Sequence, residues 1–293
     1  MDGLTSPTST QDYQAKLQGA GEKLTSDTLG LADSTGKLAV AAWVTCEDGL
    51  PQEYRAFLDG RVHPDYRGRG LGSFILQWME TRARQMLSAL ERDRPAMLRI
   101  DFYDRSDDAI ALFEQHGFRF SLAEDELRRN LEQALPTTGL PEGMTVATWS
   151  PQTASLFFQV YQEAFRERPR FPDWSEGVWQ RTFAAGASFR PDLSILLLQE
   201  SEPVGFAVCH VETEETQAVE GLGWMAQMGI GSAWTNQGLG GALLCEIMRR
   251  FRADGLGWAG LEVNIDNDKA LRLYRRLGFE RVRRRTSYQK PAG

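Results

Sequence analysis

The chain has 293 residues, 42% hydrophobic and 25% charged, with a net charge of −7. That length supports one large core or two ordinary ones, and the negative charge argues against a general nucleic-acid binder. No apolar run nears the 18 residues of a membrane span, and "MDGLTSPTSTQDYQ" has neither the basic head nor the apolar stretch of a secretory signal.

Up to Val62 the pattern is an antiparallel strand meander. It runs into "HPDYRGRGLGSFI" (residues 63–75), where Gly68, Gly70 and Gly72 sit beside Arg67 and Arg69. Glycines are placed where the backbone turns unusually or approaches something closely. After the loop Leu71, Phe74, Ile75, Trp78, Met79, Met86, Leu87 and Leu90 recur at helical spacing. Leu98, Ile100 and Phe102 then alternate as in a strand with one polar face. A short helix follows, with Gly117 where a left-handed C-terminal cap belongs. "FRFSLAED" and "ELRRNLE" read as closing strand segments, and "PTTGLPEG" (136–143) as a linker.

From residue 144 the order returns. Residues 144–172 read as a strand and an amphipathic helix, whose counterpart would fall before Met1. "LQESEPVGFAVCH" then pairs with "LADSTGKLAVAAW" at a shift of about 166. Gly238-Leu239-Gly240 aligns with Gly70-Leu71-Gly72 at a shift of 168, and "RLYRRLGF" with "ALFEQHGF" at 161. Leu239, Leu243, Leu244, Ile247, Met248 and Phe251 make a helix, and Leu261, Val263 and Ile265 a strand. A helix over 267–277 is capped by Gly278, and "FERVRRR" and "TSYQK" close the copy. The reading is a duplicated α+β domain: an N-terminal domain at 1–135 without its opening strand and helix, a linker at 136–143, and a C-terminal domain at 144–293.

A strand, a glycine-rich turn and a helix start form an anion site. The first helical amides lack intrahelical acceptors, and the helix dipole is positive there. Arg67 or Arg69 can add charge. Neither loop has the Gly-Lys-Ser/Thr of a Walker loop. "GRGLG" misses the dinucleotide spacing, and an antiparallel meander is the wrong lead-in for a Rossmann unit.

"RGRGLG" (67–72) resembles the R/Q-x-x-G-x-G/A signature of the GCN5-related N-acetyltransferases (GNATs), and "NDKALRLYRRLGF" (267–279) resembles that family's N-x-x-A-x-x-L-Y…GF segment. The likeness covers nearly the whole chain twice, as in tandem acetyltransferases of the mycothiol synthase type. It implies two splayed, mostly antiparallel mixed sheets flanked by helices, with acetyl-CoA as acyl donor and no metal. It implies cofactor contacts from Thr235, Asn236, Gln237, Gly238, Leu239, Gly240, Gly241 and Asn267 in the second copy, and from Val62, Arg67, Gly68, Arg69, Gly70, Leu71, Gly72 and Ser73 in the first. The pantetheine arm would lie between "WMAQMGI" (224–230) and "LEVNI" (261–265), with Gly229 and Gly231 marking the bulge that opens the gap. Amides near Met228 and Ile230 would polarise the thioester carbonyl.

The copies depart from the family pattern in opposite ways. The second has Tyr274 where the family has its general acid, and Asn267, but Thr235 replaces the expected Arg or Gln. The first keeps Arg67, but Phe113 replaces the tyrosine and Ser106 the asparagine. Transfer is therefore expected in the C-terminal domain, the first copy binding CoA without chemistry. Family members carry a glutamate where this chain has Trp224. Glu220 and Glu262 are nearby but off that position, so no base is named; a water chain or a partly neutral acceptor would serve. The expected function is acetyl transfer to a small-molecule amine or peptide acceptor, with no nucleic-acid or membrane partner. The alternative is a non-catalytic acyl-CoA-binding or regulatory module.

Cys46, Cys209 and Cys245 suit neither a disulfide framework nor a zinc site and read as buried thiols of a cytoplasmic protein. His63 reads as a turn or cap residue, and His116 and His210 lack partners at metal spacing. Arg281, Arg283, Arg284 and Arg285 are expected to face solvent, and the aromatics of 157–183 to be mostly core.

Overall fold

The computed structural model describes residues 24–47, 52–90, 93–103, 106–166, 174–211 and 221–293. A single helical turn, Leu24–Asp27, precedes strands β1 (Thr28–Ala32), β2 (Leu38–Glu47) and β3 (Tyr54–Val62). Helix α1 (Leu71–Ser88), β4 (Ala96–Tyr103), α2 (Asp107–Gln115) and β5 (Arg119–Asn130) follow. Then come β6 (Met144–Thr148), α3 (Ala154–Phe165), α4 (Glu176–Phe183), β7 (Ile195–Gln199), β8 (Glu202–Val211) and β9 (Leu222–Ile230). Helix α5 (Leu239–Ala253), β10 (Trp258–Asn264), α6 (Asp268–Arg276) and β11 (Glu280–Pro291) complete the chain.

Two compact units result. The N-terminal unit joins described residues of Thr5–Ala123 to Arg285–Gly293, and the C-terminal unit contains Glu124–Arg284. Their boundaries fall inside β5 and β11 rather than at residues 136–143. Each closing segment, expected as two strand pieces, is one continuous strand. No glycine or proline interrupts 119–130 or 280–290 to turn the chain.

In the N-terminal unit β1, β2 and β3 pair antiparallel, β3 pairs parallel with β4, and β4 pairs antiparallel with Arg285–Pro291 of β11. In the C-terminal unit β6, β7, β8 and β9 pair antiparallel, β9 pairs parallel with β10, and β10 pairs antiparallel with Glu124–Asn130 of β5. Each unit is thus a mixed sheet of the same topology, completed by the closing strand of the other copy. No described residues of the N-terminal unit form counterparts of β6, α3 and α4.

The helices bury the stripes their spacing predicts. In α5 Leu243, Leu244, Ile247, Met248 and Phe251 are buried with Leu261 and Val263 of β10, and Leu239 is buried with Leu197 and Val204. In α1 the buried stripe runs through Ile75, Leu76, Met79, Ala83 and Leu87, against Leu58 and Leu98. Phe74, expected on that stripe, is 50% exposed, because the buried face runs through Leu71, Ile75 and Met79 and Phe74 falls to its flank. Among the described residues no helix is long and apolar enough to cross a membrane.

Candidate functional site

The two glycine loops have one backbone. In the N-terminal unit His63 opens a 3-10 turn, Pro64–Tyr66, and its ring nitrogen accepts from the Asp65 N–H at 3.2 Å, the capping role expected of it. Arg67 is extended (φ −64°, ψ 160°), and Gly68 (φ 72°) and Gly70 (φ 77°) are left-handed before α1 begins. In the C-terminal unit Gly231 opens the turn Ser232–Trp234 and Thr235 is extended (φ −70°, ψ 159°). Asn236 (φ 64°) and Gly238 (φ 79°) are left-handed before α5. Asparagine replaces glycine at the first left-handed position of this loop, since its short polar side chain accepts the left-handed region.

These loops present amides. In α1 the first i→i−4 bond is Phe74 N–H to Gly70 C=O (3.1 Å), so Leu71, Gly72 and Ser73 precede the ladder. In α5 Ala242 N–H reaches Gly238 C=O at 3.2 Å, and Gly241 N–H spends itself on the same carbonyl at 3.0 Å. Leu239 and Gly240 are left ahead of the ladder. The loop side chains brace rather than project. Arg69 donates to Asp65 C=O at 3.1 Å and lies 5.2 Å over the Tyr66 ring. Gln237 donates to Ala233 C=O at 3.4 Å, and the Thr235 hydroxyl to Ser232 C=O at 3.1 Å. Arg67 Nε points back to Val62 C=O at 3.4 Å. Lys37 pairs with Asp65 at 2.6 Å, and the Tyr66 hydroxyl donates to Asp33, tying the β1–β2 hairpin to the turn.

Beside each loop the sheet opens. The β9–β10 ladder runs from Leu222↔Trp258 to Met225↔Leu261 and stops there. The bulge that accompanies this lies at Ala226, since Val208 pairs with Gln227 and Cys209 with Met225. The expectation of a bulge at Gly229 and Gly231 is corrected: Gly229 pairs in regular register with Phe206. Its lack of a side chain lets α3 approach, because a Cβ there would lie 2.7 Å from Ala164 Cβ. Gly231 N–H bonds Val204 C=O at 2.9 Å, so by antiparallel alternation Met228 and Ile230 turn their N–H and C=O groups away from β8 and into the gap. In the N-terminal unit the β3–β4 ladder likewise stops at Phe57↔Arg99, and His63 N–H to Ala39 C=O (2.9 Å) turns Val62 toward the gap.

Asn267 caps α6, its Oδ1 accepting from Ala270 N–H at 3.2 Å, and Ser106 caps α2 from Ala109 N–H at 3.3 Å. Replacing asparagine by serine therefore keeps the cap and loses the amide donors. Tyr274 is 9% exposed, in the core with Leu271 and Leu277 and 5.9 Å from the Phe279 ring. Phe113 packs on Phe102 (5.5 Å) and Tyr288 (6.0 Å). The Trp224 indole covers Gly260, where a Cβ would come within 2.7 Å of it, so the position carries no carboxylate.

Of the β11 arginines expected to face solvent, Arg281 is exposed, whereas Arg283, Arg284 and Arg285 are ion-paired. Arg283 bonds Glu126, and Arg284 makes a two-point pair with Asp125 at 2.6 and 3.0 Å. Arg285 lies 3.3 Å from Asp101. The acids that hold them are spaced through β4 and β5, which local sequence reading does not connect to residue 283. The aromatic segment is core: Trp179 and Phe157 are fully buried, and Trp179 Nε1 donates to Gln227 Oε1 at 3.3 Å. His210 is held by Phe183 C=O (2.7 Å) and Ser188 Oγ (3.0 Å), and burial depresses its pKa. Cys209 and Cys245 are buried and Cys46 partly so. Glu220 lies outside the described residues.

Residues 155–279 match the acetyltransferase (GNAT) family, and residues 28–120 match an acetyltransferase (GNAT) domain. A mycothiol acetyltransferase of Frankia casuarinae is 32% identical over 237 residues, 78% of this chain and 66% of that protein. One of Renibacterium salmoninarum is 28% identical over 266 residues, 87% of this chain and 72% of that protein. The chain thus matches a little under two thirds of the length of the Frankia relative. A GCN5-related N-acetyltransferase from Sphaerobacter thermophilus superposes with a TM-score of 0.78 at 24% identity, covering 96% of this chain and 85% of that one. A tandem GNAT protein from the clavulanic acid biosynthesis pathway superposes at 0.66 and 17% identity, covering 95% and 86%.

Proposed function

Because the chain belongs to the GNAT family of acetyltransferases and holds two domains of it, we propose that it moves an acetyl group from acetyl-CoA to an amine or peptide acceptor, with the chemistry in the C-terminal unit. The observation that carries this is the opening of β9 from β10 beside a helix start, with Met228 and Ile230 amides turned into the gap.

The residues present fit acetyl-CoA. Amides of Leu239 and Gly240 with the loop 235–238 suit a pyrophosphate, since left-handed Gly238 leaves open space where a Cβ would stand. Thr235 brings no charge, so this contact rests on backbone dipoles. The amides of Met228 and Ile230 stabilise charge growing on the thioester oxygen. Tyr274, with a phenol pKa ordinarily near 10, protonates the departing thiolate. The N-terminal unit repeats the cradle with Arg67 and Gly68 to Ser73, but Phe113 has no proton to give. We assign it binding without transfer, and the reaction to the cytoplasm on cysteine usage. The rival reading, a non-catalytic acyl-CoA-binding module, draws on Trp224 standing where a carboxylate is expected.

A screen of amine acceptors with free-thiol detection, alongside calorimetric CoA binding, separates the two. CoA release that requires an amine supports transfer. Tight binding with no turnover on any amine supports the rival.

A further inference from the structure

The two gaps differ on the face from which an acceptor must come. In the N-terminal unit α1 and α2 back the gap, with Leu58, Ile100, Phe102 and Phe113 in one core. Gly60 turns the same way, since a Cβ there would meet Ile75 and Met79 of α1 at 3.0 Å. A nucleophile therefore reaches a thioester in this gap from the opposite face. Phe57, Asp59 and Arg61 of β3 and Arg99 and Asp101 of β4 project onto that face by alternation. At the shift of 168 that aligns the loops, Arg61 stands where the C-terminal copy has Gly229, and at the shift of 161 Arg99 stands at Gly260. In the C-terminal unit each glycine admits a neighbour, Ala164 and Phe165 of α3 at Gly229 and the Trp224 indole at Gly260. In the N-terminal unit both positions carry long cations instead, and no described residues form a counterpart of α3.

Each arginine is braced at the edge of the gap. Arg61 Nη1 donates to Gly60 C=O at 3.1 Å and pairs with Asp59 at 3.1 Å. Gly60, two residues before Val62, turns its carbonyl away from β2 and toward the gap, so this guanidinium sits on the β3 edge. Arg99 belongs to the last β3–β4 pair, Phe57↔Arg99, and its guanidinium lies 5.7 Å over the Phe57 ring. It is 8% exposed, with Nε donating to Asp101 at 2.7 Å and Nη2 to Ser287 Oγ at 2.8 Å. Ser287 Oγ donates in turn to the same Asp101 oxygen at 2.5 Å. Burial pushes the Asp101 carboxyl up, but Arg99 and Arg285 outweigh it and hold it below its ordinary range, so the pair stays charged. Asp59 and Asp101 are thus each spent on the arginine two residues away.

We propose that Arg61 and Arg99 roof the N-terminal gap, so that an acyl-CoA held there is closed to amine acceptors; the inference rests on the reading of the first cradle as a CoA site. A guanidinium keeps its charge at any working pH, and its planar fork holds a carboxylate and a second acceptor at once. The roof therefore costs little to keep shut, and opening it breaks two ion pairs. The first copy is silent for want of access as well as for want of a phenol at Phe113, and it holds the thioester away from nucleophiles.

The test uses Gly238→Glu protein, where the first cradle alone is expected to bind, in excess over acetyl-CoA. Hydroxylamine, a small amine largely uncharged near neutral pH, is the probe, and the acetohydroxamate formed is the readout. Bound acetyl-CoA should react at least about tenfold more slowly than free acetyl-CoA. Adding Arg61→Gly, at the half-exposed arginine, should restore part of the rate. Adding Arg61→Gly with Arg99→Gly should bring it to within about threefold of the free thioester, with calorimetric CoA affinity changed by no more than a few-fold. Wild type loaded at both sites gives the same reading without Gly238→Glu: two phases, of which the slow one disappears when both arginines are replaced. Bound acetyl-CoA consumed as fast as free would overturn the roof, and protection that survives loss of both arginines would overturn their part in it. Gly238→Glu protein that folds yet binds no CoA, while wild type binds one per chain, would overturn CoA binding at the first cradle, and this inference with it.

Discussion

Lys290 Nζ lies 2.8 Å from Glu80 Oε1, a pair that locks the last strand of the chain to α1 within the N-terminal unit. The same carboxylate meets His116 Nδ1 at 3.3 Å and Arg84 at 3.1 Å, and Arg84 Nε reaches Ala292 C=O at 2.9 Å. Burial alone would raise the Glu80 pKa, but Lys290 and Arg84 outweigh it and hold the carboxyl below its ordinary value. A depressed folded pKa contributes stability above the unfolded value of about 4.3, lost as pH falls through the folded one. Glu80→Ala should cost about 3 kcal/mol at pH 7 by leaving the half-buried Lys290 ammonium with no counter-charge, only its bond to His116 C=O. It should also remove this acid-dependent component below about pH 4.3. Urea unfolding at pH 7 and pH 4 checks both, and an unchanged midpoint would show that the strand docks without Glu80.

Tyr274→Phe removes the phenol and keeps the ring that packs on Phe279. The expected loss is about 10²–10⁴ in kcat with acetyl-CoA affinity little changed. Steady-state kinetics with calorimetry reads the two separately, and an undiminished kcat would make Tyr274 a packing residue only.

Gly70 and Gly238, both left-handed with open space where a Cβ would go, allow the cradles to be tested one at a time. Calorimetric titration should find close to two CoA sites per chain. Gly70→Glu should remove one and spare turnover, whereas Gly238→Glu should remove the other and abolish it. Saturating CoA at a hundredfold excess should stabilise a binding unit by about 2.7 kcal/mol. One site that survives Gly70→Glu would make the first loop a tight turn.

Gly260→Val places a side chain where a Cβ alone would lie 2.7 Å from the Trp224 ring. Overpacking should destabilise the C-terminal unit by about 1–3 kcal/mol. Pairing the change with Trp224→Ala should recover most of that loss in a double-mutant cycle. Additive effects would mean that the indole yields without cost.

Local chemistry on the chain determined a great deal. Helical stripes in α1 and α5, alternation in β4 and β10, and glycines at left-handed positions such as Gly117 and Gly278 are short-range constraints, readable wherever apolar and glycine residues fall in register. The same holds for the duplicated order and for the two glycine loops, down to Asn236 standing in for a glycine.

Only the tertiary structure decided where the closing strands go. The patterns of 119–130 and 280–291 mark strands, but a strand's partner is chosen by sheet edges and side-chain pairs far away in sequence. Glu80 with Lys290, and Asp125 with Arg284, are such pairs. The gap followed the same logic: Gly229 drew attention as the bulge, yet the bulge fell at Ala226, because register is settled between β8 and β9 and glycine was needed instead where α3 crosses.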